Sequence, residues 1–98
     1  MTAENKPTIK FDERTHAAVA LRYPVEVDAI KYASLTMRRP KTKDSKIVAK
    51  QGGDDMSKGI LLLANLCDVA PAVIEELDEI DAAALGAQLE AFRGGQLS

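Results

Sequence analysis

At 98 residues the chain is about one domain with one modest core, because a chain this short hides only roughly 60–65% of its unfolded surface on folding. The formal charge of −2 conceals two opposed segments: Arg38, Arg39, Lys41, Lys43, Lys46 and Lys50 face Asp44 alone, whereas Asp68, Glu75, Glu76, Asp78, Glu79 and Asp81 follow with no base among them. The single cysteine, Cys67, excludes an internal disulfide and a cysteine metal cluster, and the longest strongly apolar run, Ile60 to Ala64, is too short to span a bilayer.

Residues 1–22 are polar and mixed, with Pro7 near the start, and read as a flexible N-terminal arm. Within them the Ala17 to Leu21 patch suits either a brief helix or a segment that orders on contact. Residues 23–39 differ. Val25 and Val27 alternate with Glu26 and Asp28, a turn fits near Asp28 and Ala29, and Ile30, Tyr32, Leu35, Thr36 and Met37 follow. Period-two alternation with β-branched and aromatic side chains predicts a short hairpin, which needs a helix or another chain to cover its apolar face. Pro40 closes it, since the residue before a proline avoids the helical basin.

Residues 41–93 carry helical signals. Asp44 is placed to cap a short helix through Ile47, Val48 and Lys50, which Gly52 and Gly53 end. Asp54 or Asp55 then caps a helix in which Met56, Ile60, Leu63 and Cys67 form one face; Leu61, Leu62 and Leu66 add a second, so this helix requires cover over more than half its circumference. Gly59 suits either a close approach of two backbones or a frayed first turn. Pro71 fits the first position of a third helix containing Val73 and Ile74, with Leu77 at its end. Asp78 and Asp81 read as caps of the last helix, whose Leu85, Leu89 and Phe92 share a stripe, while Ile80, Ala84, Ala87 and Ala91 form a small-residue face suited to close packing. Residues 94–98 read as a flexible tail. The expected fold is mainly α with a short N-terminal β-hairpin, a small α+β domain with three to four short helices.

Chemistry finds little support in these residues. His16 is the sole histidine and lies in the segment read as an arm, and Cys67 sits in an apolar stretch that predicts a buried thiol. The carboxylates from Glu75 to Asp81 lack the sheltered cleft of an acid–base pair and the alternating spacing of a calcium loop. Gly52, Gly53 and Lys58 do not compose a phosphate loop. No enzymatic activity, metal or cofactor is expected. The basic run from Arg38 to Lys50 has no interleaved aromatics, which disfavours nucleic acid as a partner. The excess of aliphatic helical surface is compatible with self-contained packing and with reception of a partner's amphipathic helix, and periodicity alone does not separate the two.

The order of segments adds a resemblance. The stretch from Ile30 to Lys41, carrying Leu35, Thr36, Arg38 and Pro40 as Leu-Thr-x-Arg-x-Pro, is followed by Ile60 to Val69, by Leu77, Asp78 and Asp81 as Leu-Asp-x-x-Asp, and by Leu89 to Phe92. Over about Tyr23 to Phe92 this resembles the tail assembly chaperones of contractile-tailed phages and prophages, the family that includes the E-type chaperone. The resemblance implies a protein that binds the long, aggregation-prone tape measure protein while the tail tube forms around it, acts in the host cytoplasm and is absent from the mature virion. It carries over no catalytic residues. On that reading Met56, Ile60, Leu62, Leu63, Leu66, Leu85, Leu89 and Phe92 are the expected partner-binding side chains. The alternatives are a self-associating structural or adaptor protein of the tail and, ranked lower, a small nucleic-acid-binding protein.

Overall fold

The computed structural model describes residues 15–94. Two antiparallel strands, β1 (His16–Val27) and β2 (Ile30–Arg38), lead into four helices: α1 (Thr42–Gln51), α2 (Asp55–Cys67), α3 (Pro71–Glu76) and α4 (Glu79–Phe92). This is the small α+β arrangement that the alternation and helix signals predict. The expected N-terminal arm on residues 1–14 and most of the expected tail, residues 95–98, lie outside the described residues.

The hairpin turns at Asp28 and Ala29, both with positive φ, 53° and 68°. A two-residue loop with both central residues in the left-handed region is the type I′ geometry, whose twist matches that of the strands. The expected hairpin starts at Tyr23, but the strand reaches back to His16, so residues 16–22 are strand and not arm. Pairing accounts for the difference: Ala17 lies opposite Met37 and Val19 opposite Leu35, and the ladder overrides the local preference of an alanine-rich run. Ala17, Val19 and Leu21 turn toward the helices while Ala18 and Ala20 face outward.

Between Ala20, paired with Ser34, and Val25, paired with Tyr32, the register breaks. Leu21, Arg22, Tyr23 and Pro24 stand there against Ala33 alone. Such a bulge withdraws backbone amides from the ladder, and proline, with no N–H to offer, is at home in it.

Leu21, Leu35 and Met37 of the hairpin meet Val48 of α1, Leu62 and Leu66 of α2, Val73 and Ile74 of α3, Leu77, and Leu85, Leu89 and Phe92 of α4 in one core. Helix α2 packs against α1, α3 and β2, the wide cover its two apolar sides demand. Asp54 caps it by accepting from the Ser57 N–H at 2.8 Å, and the left-handed Asp68, φ 57°, ends it. Pro71 occupies the first turn of α3. The Leu85, Leu89 and Phe92 stripe of α4 faces the core as its spacing predicts. The expected small-residue packing face does not: Ile80, Ala84 and Ala87 lie on the outer surface, because the hairpin meets α4 on its leucine side.

Candidate functional site

Two buried carboxylates fix how the hairpin sits on the helices. Asp44 and Asp81 are 2% and 3% exposed, and each is the third residue of its helix. Asp44 is therefore not the cap residue of α1, as its spacing suggested; Lys41 holds that position. Its carboxylate reaches back to accept from the Lys41 N–H at 2.8 Å, the returning half of a capping box, and takes both guanidinium arms of Arg38 at 2.7 and 2.9 Å. The Arg38 hydrogen bonds hold the Asp44 carboxyl down at about 2, against the opposing effect of desolvation, and raise Arg38 in turn.

Asp81 does the corresponding work on β1. Its two carboxylate oxygens accept from the Arg22 N–H at 2.8 Å and the Tyr23 N–H at 3.0 Å, the amides of the bulge. Asp78 alone caps α4 through its side chain, accepting from the Ile80 N–H at 2.9 Å. Each strand is thus tied to the first turn of one helix. The Arg39 guanidinium lies 5.7 Å from the centre of the Phe92 ring, a cation–π contact that adds a tie at the end of β2.

Of the residues of the two sequence patterns, Arg38 and Asp81 form these ties. Leu35 and Leu77 are core residues, Thr36 and Pro40 are half-buried, Arg38 binds Asp44, Asp78 is a helix cap and Asp81 holds the bulge. Their clear duty is to the fold.

A groove of about 600 Å³ opens between α2 and the α3–α4 corner. Met56, Gly59, Ile60 and Leu63, at helical spacing, form one side. Ile74, Leu77 and Ala82 form the other, with Glu75 and Glu79 as its charged lining. The stripe predicted for α2 is therefore closed at one end, where Cys67 is buried, and open at the other, where Met56 is 76% exposed. Among the described residues, and beyond the backbone of its own helix, no heavy atom lies within 4 Å of where a Gly59 side chain would begin, so the glycine answers no close approach of another element there and leaves the groove wider.

The side chains expected to meet a partner divide accordingly. Met56, Ile60 and Leu63 line the groove. Leu62, Leu66, Leu85, Leu89 and Phe92 are buried in the core and hold the helices together. The wall formed by Ile74, Leu77 and Ala82 carried no sequence signal of its own, since its residues share a surface only after α3 turns the chain back. Nor did the pairing of Asp81 with amides 58 and 59 positions away.

His16 and Cys67 line a second cleft of about 510 Å³, with Thr36, Arg38, Asn65, Leu66 and Asp68. Burial pushes the Cys67 thiol up to about 11, which keeps it protonated and weakly nucleophilic at neutral pH. The buried thiol is the one its apolar neighbours predict. Among the described residues no group of His, Cys, Asp and Glu is placed to hold a metal ion, and no helix is long and apolar enough to cross a membrane.

These observations define a class: a small α+β domain whose two buried carboxylates tie its hairpin to its helices and which carries an apolar groove on the helical side. The family model described as phage tail assembly chaperone proteins, E, or 41 or 14, matches residues 18–94, and the chain belongs to that family. None of the curated proteins and none of the solved structures compared with the chain matches it.

Proposed function

We propose that this tail assembly chaperone binds the tape measure protein and keeps it soluble while the tail tube assembles, by non-catalytic, stoichiometric holding. The observation that supports the reading most directly is the apolar groove of Met56, Ile60 and Leu63 against Ile74, Leu77 and Ala82. An amphipathic helix lays one face into such a groove, and a long helical client offers that face repeatedly. One short groove gives weak binding, so retention comes from several copies along one client. Weak individual contacts also let the copies leave as the tube closes. The protein then acts in the host cytoplasm and is absent from the mature virion.

Co-expression of the tape measure protein with this chain tests the reading. Client solubility is expected to depend on the chain, and Met56→Asp with Gly59→Glu, both at exposed positions of the groove, is expected to abolish it while leaving the chaperone folded. Client that stays soluble without the chain, or that is held equally well by the double variant, sinks the proposal. Retention of the chain in purified particles would point instead to a structural tail component.

A further inference from the structure

Thr15, His16, Arg38, Arg39, Pro40 and Lys41 enclose a further cleft of about 600 Å³, where β1 begins, β2 ends and the chain turns into α1. That volume lies within the roughly 300–1,000 Å³ of ordinary ligand sites. Arg38, Arg39 and Lys41 are cations, and no acid lines the cleft. The chain as a whole carries a formal charge of −2, so this concentration of positive charge is local. The three cations are not equivalent. Arg38 gives both guanidinium arms to the buried Asp44, which neutralises it and fixes that wall. Arg39 and Lys41 are exposed, and among the described residues neither takes part in an ion pair. Both are nevertheless held in place. The Arg39 N–H donates to the Thr15 carbonyl at 2.7 Å and its guanidinium lies 5.7 Å from the centre of the Phe92 ring, while the Lys41 N–H donates to Asp44 at 2.8 Å. A guanidinium laid over an aromatic ring keeps its charge and the N–H donors along its edge, so it is oriented before a ligand arrives.

We infer that this cleft binds an acidic segment of a partner protein, with Arg39 taking one carboxylate through paired N–H donors and Lys41 taking a second. Planar, bidentate recognition of a carboxylate is what an oriented guanidinium does best, and the lysine adds a point charge beside it. The cleft is ill suited to a nucleic acid strand, which is held by stacking its bases on open aromatic faces: the ring beside these cations, Phe92, is buried and covered by Arg39. The site also stands apart from the apolar groove, since no residue lines both. The 14 residues of α4 separate them, with Glu79 at the groove and Phe92 beneath Arg39, about 20 Å apart at 1.5 Å per residue. Glu75 and Glu79 line the one and cations line the other, so the two sites select opposite charges. One copy of the chain is thereby able to hold two different segments at once. The inference does not depend on what the groove receives.

Fluorescence anisotropy of a labelled peptide of alternating glutamate and glycine, titrated with the purified full chain at low salt, tests this without any client. A lysine–glycine peptide of the same length and a labelled single-stranded thymidine oligonucleotide serve as comparators. The acidic peptide is expected to bind, the basic one not to, and added salt to weaken the binding by screening. Arg39→Gln with Lys41→Gln is expected to weaken it by about tenfold or more, the loss that follows from removing one or two charge-assisted hydrogen bonds. Lys43→Gln with Lys46→Gln removes the same charge from exposed positions of α1 outside the cleft and is expected to change it by less than about twofold. Far-UV circular dichroism checks that the variants remain folded; should loss of the Arg39 stacking unfold the chain, Lys41→Gln alone carries the test, with about a threefold loss expected. Amide chemical shifts of the wild-type chain are expected to move at Arg39 and Lys41 and to stay in place at Ile60 and Leu63. A wild-type chain that ignores the acidic peptide, or the same loss in both double variants, or an oligonucleotide bound more tightly than the peptide, overturns the inference. Client solubility responds to the groove variants and peptide binding to the cleft variants, so the two readings fail separately.

Discussion

Asp44 and Asp81 show how little of a carboxylate's duty is written beside it. Both stand at the third position of a helix, where an acid is favoured by the positive end of the dipole, yet each is buried and each is fully engaged by a strand. The Asp44 carboxyl titrates near 2 in the folded chain, below its value of about 4 in the unfolded one, so it binds fewer protons when folded. Its contribution, about 2 kcal/mol at neutral pH, is therefore fully present above the unfolded value and lost progressively as pH falls between about 5 and 1. Asp44→Asn is expected to lower stability at pH 7 and to flatten the acid side of the stability profile, as urea unfolding at a series of pH values would show. An unchanged acid limb would deny Asp44 this role. At Asp81 the expected loss is about 1–2 kcal/mol for Asp81→Asn, because the amide keeps only one acceptor for two part-buried N–H groups. Amide hydrogen exchange locates the effect: the Arg22 and Tyr23 amides should exchange faster in the variant, ahead of the other β1 amides.

At the scale of elements, the hairpin is held by its ladder and its ties in spite of its turn. Ala29 sits at φ 68°, where the Cβ of an L-residue crowds the following carbonyl at a cost of about 1 kcal/mol; Asp28, at 53°, belongs to a residue type that tolerates the region better. Ala29→Gly is expected to stabilise the chain by about 0.5–1 kcal/mol, a rise of several degrees in melting temperature for a domain of this size. A melting temperature that falls would mean that the turn does not hold this conformation in solution. The strand's extension to His16 belongs to the same scale. Local composition at Ala17 to Leu21 permits helix or strand, and only β2, with Leu35 and Met37 in register, decides between them.

At the scale of the whole molecule, α2 distributes its apolar side chains between the core and the groove. Leu66→Asp places a charge at a site 2% exposed and is expected to abolish cooperative unfolding, whereas Met56→Asp, at 76% exposure, is expected to leave the unfolding midpoint within about 0.5 kcal/mol of wild type. Calorimetry on the two variants checks both outcomes, and a Met56→Asp chain that fails to fold would mean that this end of α2 is covered. By itself the sequence determined the features that depend on neighbours along the chain: the alternation of Val25 and Val27 and their turn, a cap of α2 at Asp54 or Asp55, the Asp78 cap, Pro71 at its first turn, the Leu85, Leu89 and Phe92 stripe, and the burial of Cys67. Only the tertiary structure decided which side of α2 is buried, that Asp81 belongs to β1, and that Ile74, Leu77 and Ala82 face Met56, Ile60 and Leu63 across a groove. Periodicity specifies which residues share a face, but two apolar faces on one helix look alike until the neighbouring elements arrive and cover one of them more completely than the other.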